Sequence, residues 1–248
     1  MRIVFHGENA ASFSHDFQRL VGEAAQISVL PDVLTDSAHS QTYGAADVIV
    51  GGRFSADLPQ PRQLQLFHVP GAGYDAVDLD AVPDSAVVCN CFGHEQAIAE
   101  YVMAALLERH VPLADADRHL RQGEWTYGAG SPERAHGELA EKTIGLLGFG
   151  HIGKAIAARA KAFEMKVHVA NRIAGAVIDT WYSYPSPNQP SVPPSKFPFH
   201  ELPNVVMTPH MSGWTAGTIN RRRQTIADNI GRRAAGRPCV NVVRPARA

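Results

Sequence analysis

A chain of 248 residues with 45% apolar and 19% charged residues has the composition of a folded globular protein, long enough for two compact domains. The formal charge of -1 offers no field for nucleic acid or an anionic membrane surface, so a small molecule is the expected partner. No apolar run reaches the ~18 residues of a membrane span, and the first ten residues read directly as a strand, which together lead to the expectation of a cytoplasmic protein.

Short apolar runs alternate with helical spacing, the signature of a mostly parallel sheet covered by helices. Strands are predicted over Arg2–Phe5, Gln26–Leu30, Asp47–Gly51, Leu64–Val69 and Ala86–Asn90, punctuated by Pro31, Asp32, Gly51, Gly52 and Pro83. Apolar residues at Ile98, Val102, Ala105 and Leu106 then predict a long, largely buried connecting helix over Glu95–His110. From Thr143 the chain passes from an apolar strand through glycines into an alanine-rich helix, followed by a strand over Lys166–Ala170. Two more strands, Ala176–Thr180 and Asn204–Thr208, flank the proline-rich Tyr184–Pro198, which has the composition of an extended ordered loop. A last helix is expected over Thr215–Ala235, with Arg221–Arg223 on a solvated face, before a terminal strand or tail from Cys239. Cys89, Cys91 and Cys239 are too few for a disulfide framework and lack the spacing of a zinc site, so they read as reduced thiols and no metal is expected.

Gly148, Gly150 and Gly153 form the pattern G-x-G-x-x-G between a predicted strand and a predicted helix, the context in which that pattern marks a dinucleotide site. The first glycine permits a tight turn, the second lets backbone approach a pyrophosphate, and the third lets helix and strand pack closely. Phe149, His151 and Ile152 complete the loop and the helix start, whose amides and partial positive charge suit phosphates. At the end of the next strand, where an NAD-specific site has Asp or Glu, stand Asn171 and Arg172. Without a carboxylate to repel a ribose 2′-phosphate, the coenzyme is read as NAD or NADP, with a lean to NADP or dual use.

Only the five residues Asn171–Gly175 separate the strand ending near Ala170 from the strand beginning near Ala176. A parallel crossover needs about a dozen residues or more, so these two strands cannot be neighbours in a normal βαβ link.

The stretches Val69–Pro83, Cys89–Val102, Gly145–Ala157, Ile178–Pro185 and Asn204–Gly213 resemble, in order, those of the D-isomer-specific 2-hydroxyacid dehydrogenases. The resemblance implies an α/β protein with a flavodoxin-like substrate domain, residues 1–94 and 216–248, facing a Rossmann-type dinucleotide-binding domain, residues 95–215, across a cleft. It implies a homodimer built around the connecting helices. It implies hydride transfer between a nicotinamide coenzyme and a small 2-hydroxy or 2-oxo acid. Ala72 and Gly73 then match the loop whose amides hold a substrate carboxylate, Asn90 the substrate side of the cleft, and Asp179 the carboxylate that receives the nicotinamide carboxamide. His210 matches the acid/base, a task suited to an imidazole that titrates near neutral pH, and Gly213 lies beside it in the same coenzyme-facing motif.

Two departures stand against that pattern. The family's glutamate before the strand-end proline, which charges the histidine, is Tyr184 here; the formate dehydrogenase branch also has a neutral residue there, which keeps a formate-dehydrogenase-like oxidoreductase as an alternative. The short link after Arg172 further implies that about two strand and helix units, roughly 60 residues, are missing, leaving the Rossmann-type domain incomplete between 172 and 176. With them would go the arginine that grips the substrate, so impaired turnover is expected, and a catalytically inactive nucleotide-binding or dimerising relative is the other alternative.

Overall fold

The structure, a computed structural model, describes residues 1–129, 135–169, 176–185, 189–202 and 205–246, and the chain divides into two compact units, residues 1–93 with 216–248, and residues 94–215. The first unit is built on a six-stranded sheet of β1 (Arg2–His6), β2 (Gln26–Leu30), β3 (Val48–Gly51), β4 (Leu66–His68), β5 (Val87–Cys89) and β10 (Val242–Arg244). Its order is β10-β5-β4-β3-β1-β2, parallel except where β10 runs antiparallel to β5. The five parallel strands thus follow the 2-1-3-4-5 order of a flavodoxin-like sheet, as expected.

Successive side chains of a strand point to opposite faces, and both faces of this sheet are covered. Ile3, Phe5, Val48, Val50, Leu66 and Cys89 enter one core, with Phe13 and Phe17 and with Ile226, Ala227 and Ile230 of the long helix α7 (Ala216–Ala234). Val4, Ile49, Phe67 and Val88 enter the other, with Tyr43, Phe54 and Leu58. This two-sided burial is why the strands read as continuous apolar runs. Three short helices escaped the sequence reading: α1 (Glu8–Ala11), α2 (Gln18–Val21) and α3 (Ser37–Gly44), the last capped by Asp36, whose carboxylate accepts the Ala38 amide at 2.8 Å. Their apolar spacing is too short to register.

Polar side chains tie the C-terminal segment to this sheet. Arg244 is buried and donates to the carbonyls of Leu79, Val82, Pro83 and Ala86 at 2.8 to 3.1 Å. His68 is fully buried; its Nδ1 donates to the Val69 carbonyl at 3.1 Å and its Nε2 accepts from Asn229 at 2.9 Å. Asn229 also exchanges hydrogen bonds with the backbone of Val240 at 2.8 and 2.9 Å. The arginine run of α7 is not the free solvated face expected. Arg221 donates to the Gly93 carbonyl at 2.6 Å, Arg223 to the His15 carbonyl, and Arg222 is half-buried, because loop carbonyls need donors that the loops themselves do not supply.

The second unit begins with α4 (Glu95–His110) and α5 (Leu113–Arg121), then β6 (Thr143–Leu146), α6 (His151–Ala162) and β7 (Lys166–Val169), and ends with β8 (Ala176–Ile178), a 3-10 turn at Phe199–Glu201 and β9 (Val205–Met207). β6 pairs with β7 in parallel, and β8 with β9 in parallel, as two separate sheets. Among the described residues β7 and β8 are not paired, so no βαβ link joins them as neighbours; the link itself lies outside the described residues. Residues expected to bury α4, Ile98, Val102, Ala105 and Leu106, are only half-buried; the buried ones are Ala97, Ala99 and Met103. The side of α4 that faces α6 is the buried one, with Ala99 in one cluster with Ala157 and Met103 in another with Ala160.

Two outcomes follow for stability. Burial pushes the His68 pKa down to about 4 from its ordinary 6.5. Between those values the unfolded chain binds more protons than the folded one, so the His68 contribution is complete above about pH 6.5 and is lost as pH falls toward 4. The loss expected is about 3 kcal/mol, read as a pH slope in denaturant melts that flattens in His68→Gln. Arg244→Met should lower stability by roughly 3 kcal/mol, because four buried or part-buried carbonyls lose one charged donor group; a melt within error of the parent would contradict it.

Candidate functional site

In the second unit the glycine turn has the geometry its sequence demands. Gly148 sits at φ +95, a conformation that favours glycine. A Cβ on Gly153 would lie 2.5 Å from the Gly148 carbonyl oxygen, so only glycine lets the first turn of α6 lie against the loop. A Cβ on Gly150 would meet nothing within 4 Å. The open space therefore lies at the middle glycine, over the start of α6, where no side chain caps the helix. The first turn of a helix presents backbone amides along its axis, and those of α6 begin at His151, Ile152 and Gly153, the kind of donor an anionic diphosphate requires. Leu146 at the end of β6 is buried with Ile156 and Ala157, which fixes the turn to its helix, while Phe149 is half-exposed. Asn171 and Arg172, the expected ribose contacts, lie outside the described residues.

The other expected residues of this unit converge on one loop. Asp179, just after β8, receives four hydrogen bonds: from the Thr208 hydroxyl at 2.5 Å, the Met211 amide at 2.9 Å, and the Ser212 amide and hydroxyl at 3.0 and 2.5 Å. Burial opposes ionisation of this carboxyl, but those four donors outweigh it and hold Asp179 below the usual carboxylate range. Tyr101 of α4 donates to the Thr208 hydroxyl at 2.5 Å, and the Trp181 indole donates to the Thr208 carbonyl at 2.7 Å. His210, on this loop, is exposed and sits at φ +60. The Tyr184 ring lies 5.4 Å from the His210 imidazole at 44°, and its hydroxyl accepts the Trp181 amide at 2.9 Å. Gly213 lies against His94 and Ile98, where an added Cβ would find ordinary contact at 3.5 to 3.7 Å.

In the first unit, Ala72 and Gly73 lie on the loop that follows β4, at the carboxyl end of the parallel strands, where ligands of open α/β sheets bind. Asn90 is buried and its amide donates to the Ala72 carbonyl at 2.8 Å, and the Cys91 amide donates to Gly71 at 2.9 Å. Asn90 thus holds the loop on which Ala72 and the exposed Gly73 stand. Cys89, Cys91 and Cys239 are free thiols. Sequence reasoning missed Tyr101, Trp181, Thr208 and Ser212 as parts of the constellation. Tyr101 meets Thr208 across 107 positions, a separation that no local spacing reveals.

Comparison with known proteins finds partial sequence similarity and a shared fold. Residues 103–173 match the family model of the D-isomer specific 2-hydroxyacid dehydrogenase, NAD binding domain. The chain is 31% identical over 143 residues to a hydroxypyruvate reductase of Thermotoga maritima, covering 57% of this chain and 42% of that one. This chain is similar to the D-isomer specific 2-hydroxyacid dehydrogenases. A D-3-phosphoglycerate dehydrogenase of Bacillus subtilis is 39% identical over 110 residues, 43% of this chain and 20% of that enzyme. The matches thus span less than half the length of these relatives. In fold, the chain is similar to a 2-hydroxyacid dehydrogenase from Ketogulonicigenium vulgare, with a TM-score of 0.71 at 20% identity over 99% of this chain and 98% of that one.

The glycine turn predicts two separable mutant classes. Gly153→Ala should destabilise the protein by roughly 1 to 3 kcal/mol, because the added methyl cannot enter without moving the turn or the helix. Gly150→Val should leave the melting midpoint unchanged, since its side chain projects into open space. Equal destabilisation in the two variants would contradict the assignment of open space to Gly150.

Proposed function

We propose that this chain binds a nicotinamide dinucleotide at Gly148–Gly153 and serves hydride transfer with a small 2-hydroxy or 2-oxo acid. The single observation that carries the reading is the division of labour among the three glycines: positive φ at Gly148, open space at Gly150 and a helix contact at Gly153 too close for a Cβ. Those residues fit a diphosphate, and the nicotinamide ring of such a coenzyme supplies the hydride acceptor or donor. His210 gives a proton to, or takes one from, the substrate oxygen. Ala72 and Gly73 offer backbone donors to the acid's carboxylate, which glycine-containing turns can present without steric cost, and Asn90 keeps that loop in place. Asn171 and Arg172 at the ribose position accept a 2′-phosphate, so NADP is used at least as readily as NAD.

The chain acts in the cytoplasm, where its three free thiols stay reduced, and as a homodimer. Support for self-association comes from Leu113, Leu120 and Trp125, large apolar residues on and after α5 that are 53 to 73% exposed. A second reading, a nucleotide-binding and dimerising protein without turnover, draws on the separation of β6–β7 from β8–β9, and on the lack of an arginine matching the family's substrate clamp.

The decisive experiment is calorimetry of NADH and NADPH on the full chain and on Gly150→Val, paired with steady-state assays on glyoxylate and hydroxypyruvate. Binding that weakens at least tenfold in Gly150→Val, with turnover that disappears in His210→Ala, is the expected result (a tenfold change being about 1.4 kcal/mol). Binding without turnover selects the second reading. Absence of binding by either coenzyme overturns both.

A further inference from the structure

We propose that Asp179 and Tyr184 are positioning residues for His210: the Asp179 carboxylate locks the loop that carries the histidine, and the Tyr184 ring seats its imidazole. The proposal rests on the reading of His210 as the residue that exchanges the proton, and it assigns to Asp179 a task other than meeting a coenzyme amide.

A non-glycine residue at φ +60 is uncommon, and it persists where the surrounding structure holds it. The hold on His210 comes from both sides in sequence. Before it, the Thr208 hydroxyl donates to Asp179; after it, the amides of Met211 and Ser212 and the Ser212 hydroxyl do the same. Two carboxylate oxygens accept about four hydrogen bonds in all. Asp179 already accepts four, so a carboxamide would have to displace a loop donor to reach it. Its influence on the reaction therefore runs through the loop. Thr208 is in turn gripped by Tyr101 through its hydroxyl and by Trp181 through its carbonyl, which extends the clamp back to α4.

Tyr184 completes the arrangement from the other direction. Its hydroxyl is anchored by the Trp181 amide, and its ring meets the His210 imidazole face at a tilt. An aromatic surface restricts the imidazole without competing for its protons, whereas a carboxylate in the same place would bind one of its N–H groups and favour the charged form. Orientation by ring contact thus replaces orientation by a charged partner in this chain.

The test uses the full chain and the imidazole Cε1–H signals of its 12 histidines. His210→Asn identifies the His210 signal by its loss, because asparagine tolerates positive φ. Tyr184→Leu should move the His210 signal by removing the ring current, and Tyr184→Phe should return it to the parental position. Asp179→Asn should shift or broaden the His210 signal while His68 and the histidines of the first unit stay in place. Should Asp179→Asn fail to fold, Thr208→Val and Ser212→Ala each remove one link of the clamp and should move the same signal in smaller steps. A His210 signal unmoved in Tyr184→Leu and in the clamp variants overturns the proposal. Coenzyme binding by the parent protein is measured separately, so that a responsive His210 in a protein that binds neither NADH nor NADPH leaves the positioning intact and removes the dehydrogenase reading.

Discussion

Helix α6 lies as close to its preceding strand as it does because nothing but hydrogen separates Gly153 from the Gly148 carbonyl. That contact sets the rest of the second unit. It brings Ile156 and Ala157 onto Leu146, in the cluster that Ala99 of α4 also enters, while Met103 of α4 packs with Ala160 in the next. It also aims the first amides of α6 across the open space at Gly150. A methyl group at 153 would separate helix from loop, whereas one at 150 would fill the place of a bound diphosphate. Stability and binding are thus carried by different glycines of one short motif.

The first unit depends on a sheet covered on both faces, with alternate residues of the same strands feeding two cores. Such burial leaves few polar groups to specify where the chain ends attach. Arg244 and His68 supply that specification. The arginine gathers four carbonyls, and the neutral histidine joins β4 to Asn229 of α7, which itself holds Val240 before β10. His68 has a partner at each ring nitrogen and Asn229 at both ends of its amide, the condition under which a buried polar residue orders a fold instead of weakening it.

Around His210 the controlling quantity is the capacity of one carboxylate. Asp179 accepts from three residues of a five-residue stretch, 208 to 212, and that stretch carries the histidine through a left-handed turn. The described residues of the same unit form two separate two-stranded sheets. They are β6–β7 and β8–β9, and Val169 at the end of β7 is 64% exposed.

Periodicity and glycine placement were enough to read most of the strands, the three long helices, the flavodoxin-like order by resemblance, and the roles of Gly148, Gly150 and Gly153, because those features are encoded by neighbours in sequence. The exclusion of a normal βαβ link after Ala170 was also legible, since the five residues Asn171–Gly175 are too few for a parallel crossover. The short helices of the first unit, the half-exposure of Ile98 and Val102, the use of Arg221 and Arg223 on backbone carbonyls, and the saturation of Asp179 were not. The short helices offer too little apolar spacing to read, and the others depend on partners 29 or more positions away, so hydrogen-bond capacity is decided only when those distant donors meet. The linear chain by itself determined the turn that can cradle a diphosphate; the tertiary structure decided which groups hold the histidine, because a carboxylate's four acceptor sites are filled by whatever the fold brings to them.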